Sequence, residues 1–89
     1  MKVELDGRKM TDRDATHDYL ARVLQFPSYY GRNLDALYDL LTEVGQTLEI
    51  EISHVEEIKS QLGIYGSTLL QTFQEAENDN LCLTVTLVS

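Results

Sequence analysis

The sequence predicts an α/β fold, a three-stranded parallel sheet with about four helices in the order β-α-α-β-α-α-β. Three observations support this. Apolar and polar residues alternate in three short segments, around Val3 and Leu5, Leu48 to Ile52, and Leu83 to Leu87. The stretches between them carry apolar residues at helical spacing. Strands separated by helices pair in parallel through right-handed crossovers.

The elements follow in order. Val3 and Leu5 alternate with Lys2, Glu4 and Asp6 before Gly7, which marks a strand running into a turn. Thr11, Asp12 and Asp14 offer N-caps, and Thr11 with Asp14 has capping-box spacing. Ala15, Tyr19, Leu20, Val23 and Leu24 then form the apolar stripe of a first helix, which Pro27 prevents from continuing. Tyr29-Tyr30-Gly31 is an aromatic turn. Asn33 caps a second helix with Leu34, Leu37, Leu41 and Val44 on its apolar side, and Gly45 stops it. Ser53 is expected to cap a short third helix through Ile58 and Leu62. Gly63 to Gly66 is expected to turn the chain. Ser67 or Thr68 should cap a fourth helix carrying Leu69, Leu70 and Phe73. The last strand, rich in β-branched residues, should hold Cys82 as a small buried hydrophobe. One sheet face should pack on helices while the other stays partly open, unusual for a parallel sheet.

The 89 residues are expected to form a single domain, residues 1–89, since they are too few for two cores. Composition narrows the function classes. One cysteine allows no internal disulfide, and no Cys/His cluster offers a zinc site. No phosphate loop, dinucleotide fingerprint or nucleophile motif is present. No catalytic residue, cofactor, metal or small-molecule substrate is therefore expected. The N-terminus lacks the apolar core of a secretory signal and no run is long enough to span a bilayer, so a cytoplasmic location is expected. Net charge is −8, unevenly placed. Residues 1–32 hold six Lys/Arg and five Asp/Glu, whereas residues 33–89 hold one Lys, Lys59, and ten Asp/Glu. Such a chain should repel nucleic acid and anionic membranes and attract a basic partner.

The second helix is the informative segment. Asp35, Asp39 and Glu43 fall at i, i+4 and i+8, which places three carboxylates on one helical face. Like charges at this spacing repel, and no Lys or Arg lies between Asn33 and Lys59 to relieve them. A face that opposes stability is a candidate binding face, although an ordinary solvated acidic stripe has the same pattern. Tyr29, Tyr30 and Tyr38 stand beside it. Tyrosine suits both binding hot spots and core packing, so the residues alone leave each of the three open.

Phe26-Pro27-Ser28-Tyr29-Tyr30-Gly31-Arg32-Asn33-Leu34-Asp35-Ala36-Leu37-Tyr38-Asp39 resembles the signature of the barstar family, P-x-Y-Y-G-x-N-L-D-A-L-W-D. The resemblance extends to Leu70–Ala76 and to the closing strand from Leu83 to Ser89. It implies a cytoplasmic inhibitor of a basic, barnase-like ribonuclease that plugs the active site with an acidic helix in place of RNA phosphates. By motif match, Asp39 is the central anchor, Asp35 meets neighbouring basic groups, Tyr29 packs on the catalytic histidine, and Glu75 adds a peripheral charge. The expected contact surface comprises Tyr29, Tyr30, Gly31, Asn33, Leu34, Asp35, Tyr38, Asp39, Thr42, Glu43, Thr72 and Glu75. The sequence departs from the family pattern at Tyr38 (a tryptophan), at Glu43-Val44 (often Gly-Trp), at Thr47-Leu48 (where a proline often stands before the second strand) and at Thr72 (a valine). A barstar-like interaction module for a basic partner that is not a nuclease is the alternative.

Overall fold

Alternation sets the sheet. In β1 (Lys2–Asp6), β2 (Leu48–Ser53) and β3 (Leu83–Leu87), Val3, Leu5, Leu48, Ile50, Ile52 and Leu83 turn to one face and are buried. Lys2, Glu4, Glu49, Thr84 and Thr86 are exposed on the other. The computed structural model describes residues 1–89 and gives the strand order β1-β2-β3, with both pairings parallel. Val3 stands opposite Ile50, and Ile50 opposite Val85. The face carrying Lys2, Glu4 and Glu49 stays open to solvent, as the alternation predicts, so the helices cover the other.

The helices are α1 (Arg13–Val23), α2 (Leu34–Thr42), α3 (Val55–Leu62) and α4 (Ile64–Asp79). Leu20 of α1, Leu37 and Leu41 of α2, Ile58 of α3, and Leu69 and Phe73 of α4 are fully buried in one core with Leu5, Met10, Ile50 and Ile52. Of the three candidate caps of α1, Asp12 is the one used, its carboxylate accepting the Ala15 N–H at 2.7 Å.

Four expectations about the second half are corrected. Ser53 does not cap α3. It stays in β2, where its hydroxyl donates to the Leu5 carbonyl at 3.3 Å. His54 begins the helix instead, in the left-handed region at φ 55° and with no side-chain cap bond. Here the β2–α3 corner presses on Gly7, where a Cβ would lie 2.5 Å from the His54 oxygen. The Gly63–Gly66 segment is not a turn, and neither Ser67 nor Thr68 caps the fourth helix. The chain turns at Gly63 alone, at φ 61°, and α4 starts at once with Ile64. Gly66 lies inside α4 because α3 crosses there: a Cβ would sit 2.6 Å from the Ile58 carbonyl oxygen. Cys82 lies half-buried in the turn before β3 rather than in the strand.

Both outer strands have an edge group satisfied by a side chain. The Asp6 N–H of β1 donates to the Tyr19 hydroxyl at 2.8 Å, and the Val85 N–H of β3 donates to the Glu77 carboxylate at 2.7 Å.

Gly66→Ala distinguishes close packing from simple helix propensity. Alanine would stabilise a free helix interior by about 1 kcal/mol relative to glycine. Against the Ile58 backbone it should instead destabilise, by about 1–3 kcal/mol, as overpacking does. Denaturant unfolding of the two proteins checks this, and a more stable Gly66→Ala variant would show that α3 and α4 can separate without penalty.

Candidate functional site

The site is built on α2. Asn33 caps it, its side-chain oxygen accepting the Ala36 N–H at 2.8 Å, while its amide donates to the Gly31 carbonyl of the preceding turn at 3.2 Å. Leu37 and Leu41 anchor its back in the core. Carbonyls in its last turn and just beyond are served from a distance: the Asn80 amide donates to the Leu41 and Val44 oxygens at 2.9 and 3.0 Å, while its own oxygen accepts the Cys82 N–H at 3.0 Å. The Thr42 hydroxyl donates to the Tyr38 and Asp39 carbonyls, both at 3.0 Å.

The front of α2 carries the carboxylate row. Asp35, Asp39 and Glu43 are all exposed, and none belongs to any of the five ion pairs of the molecule. Glu43 stands just past the helix as its C-cap but keeps helical backbone, so it continues the row. No basic residue lies in the last turn of α2. The negative end of the helix dipole therefore adds to the charge of Asp39 and Glu43. A cation is what this arrangement favours.

Two open clefts flank the row. One, of about 480 Å³, is lined by Tyr29, Tyr30, Gly31, Ala36, Asp39, Leu40, Thr42 and Glu43. The other, of about 470 Å³, lies between α2 and α4 and is lined by Leu34, Asp35, Tyr38, Thr68, Gln71, Thr72 and Glu75. The structure thus groups Asp39 and Glu43 with Tyr29, and Asp35 with Glu75. Thr68 and Gln71 were missed from sequence. They stand with Thr72 and Glu75 at i, i+3, i+4 and i+7, a helical face that spacing could have revealed. Gln71 also donates to the Glu75 carboxylate at 3.1 Å.

The three tyrosines separate. Tyr29 is 78% exposed and offers its ring to solvent. Tyr30 is buried, so its ring belongs to the core even though it edges the first cleft. Tyr38 is half-buried, and its hydroxyl donates to Asp79, which pushes the phenol upward. Thr72 is buried as well, its hydroxyl donating to the Thr68 carbonyl at 2.8 Å. Asn33 and Gly31 act through the cap and the turn rather than by projecting a side chain.

Behind the first cleft, Tyr30 bonds to a buried histidine. His17 Nδ1 lies 2.6 Å from the Tyr30 hydroxyl and Nε2 lies 2.6 Å from the Tyr65 hydroxyl. Burial, and next the Arg32 guanidinium, hold the imidazole below its ordinary 6.5. No three His, Cys, Asp or Glu side chains are gathered in a way that could hold a metal ion, and no helix is long and apolar enough to cross a membrane.

Comparison with known proteins agrees with this architecture. The family described as Barstar (barnase inhibitor) matches residues 1–87. The chain belongs to the barstar family. A relative in Bacillus subtilis (strain 168), named "Putative ribonuclease inhibitor YrdF", is 40% identical over 79 residues, covering 88% of this chain and 87% of its own. In this barstar-family chain the tryptophan position of the motif is Tyr38, which is tethered to α4 through Asp79 and helps to wall the second cleft.

Two outcomes follow from the geometry. Asp39→Ala should leave stability unchanged or raise it by up to about 0.5 kcal/mol per relieved neighbour, because no hydrogen bond or ion pair within the chain uses that carboxylate. A large fall in Tm would instead make the side chain structural. The second outcome concerns pH. Because folding lowers the His17 pKa, the unfolded chain binds the proton more readily. The stability from neutral His17 is complete above 6.5, declines as the pH falls below that value, and is gone below the lowered folded value. Asp6, brought down to about 2 by hydrogen bonds from Arg8, titrates in a lower window, from 3.8 downward. Unfolding free energies should therefore begin to fall just below pH 6.5 in the native chain and stay flatter there in His17→Gln. Parallel curves would rule His17 out as the source.

Proposed function

We propose that the chain inhibits a basic, barnase-like ribonuclease in the cytoplasm, laying α2 and Tyr29 across the active site so that carboxylates take the places of RNA phosphates. The observation that carries this reading is the exposed, unpaired row of Asp35, Asp39 and Glu43 beside the exposed Tyr29 ring. A ribonuclease must hold a polyanion with Lys, Arg and His, and a fixed row of carboxylates presents those cations with the charge they are built to bind. Tyr29 adds a large flat contact at low entropy cost. The excess of acid in residues 33–89 draws the enzyme in from a distance. Family membership and the name of the Bacillus relative support ribonuclease inhibition. Asp35, Asp39 and Tyr29 are the residues assigned to it, with Glu75 and Glu43 at the rim.

Asp39 is the central member of the row and the one to be most fully desolvated. Truncating one partner of a buried charge pair costs about 2–5 kcal/mol or more, a scale to which the barnase–barstar pair itself contributes. Asp39→Ala should therefore weaken binding to barnase, used as the test enzyme, by at least about 3 kcal/mol. Glu43→Ala and Glu75→Ala should each cost about 1 kcal/mol or less, as rim pairs do. Inhibition should be competitive with RNA, and salt should slow association more than it speeds dissociation. Steady-state kinetics and stopped-flow binding decide the matter. Noncompetitive inhibition, or equal losses in Asp39→Ala and Glu43→Ala, would sink the phosphate-mimic mechanism and leave an interaction module with another basic partner.

A further inference from the structure

A helix leaves its last four carbonyls without partners of its own. A chain often serves them by turning into the left-handed conformation just beyond the end. α2 does not close in this way. Its C-cap, Glu43, keeps a helical backbone at φ −87° and ψ −8°, and no residue from Glu43 to Thr47 has a positive φ, Gly45 included. The Glu43 N–H is shared between the Asp39 and Leu40 carbonyls, at 3.2 Å from each. The charges are also adverse, because the negative end of the helix dipole meets Asp39 and Glu43 with no basic residue in the last turn. The end of α2 that carries two of the three carboxylates is therefore the end least able to hold itself.

Asn80 supplies the missing closure. It lies 39 positions from Leu41 and 36 from Val44, and its amide donates to both carbonyls, at 2.9 and 3.0 Å. Its side-chain oxygen accepts the Cys82 N–H at 3.0 Å. Two carbonyls and one N–H surround the amide, so a single orientation satisfies all three. The residue is itself fixed on both sides. Its N–H reaches back to the Glu77 carbonyl of α4 at 3.4 Å, and its carbonyl accepts the Leu83 N–H of β3 at 3.0 Å. Asp79, one position earlier, accepts the Tyr38 hydroxyl. Two consecutive residues thus link the second half of α2 to the end of α4. The second cleft has Asp35 on one wall and Glu75 on the other, and those walls are the same two helices.

We propose that Asn80 is a positioning residue for partner recognition: it closes α2 from outside and holds Asp39 and Glu43 in register with Asp35 and, across the cleft, with Glu75. Carboxylates fixed before the encounter lose less freedom on binding than carboxylates on a fraying helix end. The effect on binding rests on the inhibitor reading, whereas the closure of the helix is a property of the free chain.

Asn80→Asp separates position from charge. It keeps an acceptor for the Cys82 N–H and replaces the two donors with an anion that faces two carbonyls. On charge alone, one more carboxylate in the acidic half should tighten binding to a basic enzyme. On positioning, the dissociation constant for barnase should instead rise by about tenfold, the scale of one lost hydrogen bond. That rise should shrink to about threefold or less when Asp39→Ala is already present, because the group being positioned is gone. In the free chain the Leu37 amide, bonded to the Asn33 carbonyl, reports on the first turn of α2, and the Glu43 amide reports on its end. Hydrogen exchange at Glu43 should accelerate by about tenfold relative to Leu37 in Asn80→Asp. If that variant does not fold, Asn80→Ala removes the same donors and takes its place in each measurement. Binding as tight as that of the native chain, or an equal rise with and without Asp39, would overturn the proposal. So would exchange that accelerates equally at the two amides. If the native chain itself fails to bind barnase, the inhibitor reading falls and the exchange contrast decides the closure by Asn80.

Discussion

The carboxylate face of α2 depends on the burial of two side chains behind it, Leu37 and Leu41. They fix α2 to the core from behind. A nine-residue helix is too short to persist alone in water, and a row of like charges along its front makes it less stable still. The repulsion amounts to a few tenths of a kcal/mol per neighbouring pair. Burying each leucine contributes about 1.5–3 kcal/mol. The larger effect wins, and Asn33 and Asn80 satisfy backbone groups near the two ends. Stability is thus supplied from the back and the ends of the helix, which leaves its front free to carry groups chosen for something else.

The same division appears in the placement of the cations. Arg8 is held by Asp6, Arg32 by Asp18 and Asp14, and Lys59 by Glu56. Arg13, Arg22 and Lys9 lie over tyrosine rings. None of these forms an ion pair with the carboxylates of α2. Internal neutralisation of Asp39 would remove the negative field at the front of α2, so the separation of charge between residues 1–32 and 33–89 has a local counterpart around the helix itself.

Local pattern was enough for the three strands, the polar outer face of the sheet and the carboxylate row, because each follows from a fixed period of two or of about 3.6 residues. It failed where the decision lay at long range. Ser53 has the chemistry of a cap, but the Leu5 carbonyl on the neighbouring strand had claimed its hydroxyl. Gly66 has the character of a turn residue, but it marks the place where α3 leaves no room for a Cβ. Adjacent tyrosines offered no basis for telling an exposed ring from a core residue. Tyr30 is buried because His17 lies 13 positions upstream in sequence and beside it in space. Asn80, 39 positions from Leu41, showed no signal at all before the chain was folded.

A parallel sheet leaves an outer strand on either side, and an outer strand is a template for another polypeptide. The bond from the Val85 amide to Glu77 has a consequence beyond this molecule. Val88 donates to Ile52 of β2, so the alternate amide of Val85 points outward, towards any incoming chain. That amide is already occupied by an ionised acceptor, and a strand seeking to zip onto β3 must first displace a carboxylate. Two copies meeting edge to edge would also bring two such charges together. On the opposite flank, Tyr19 occupies the Asp6 amide of β1 in the same manner. Guarded at both margins, the sheet resists the open-ended stacking that leads from soluble protein to fibre.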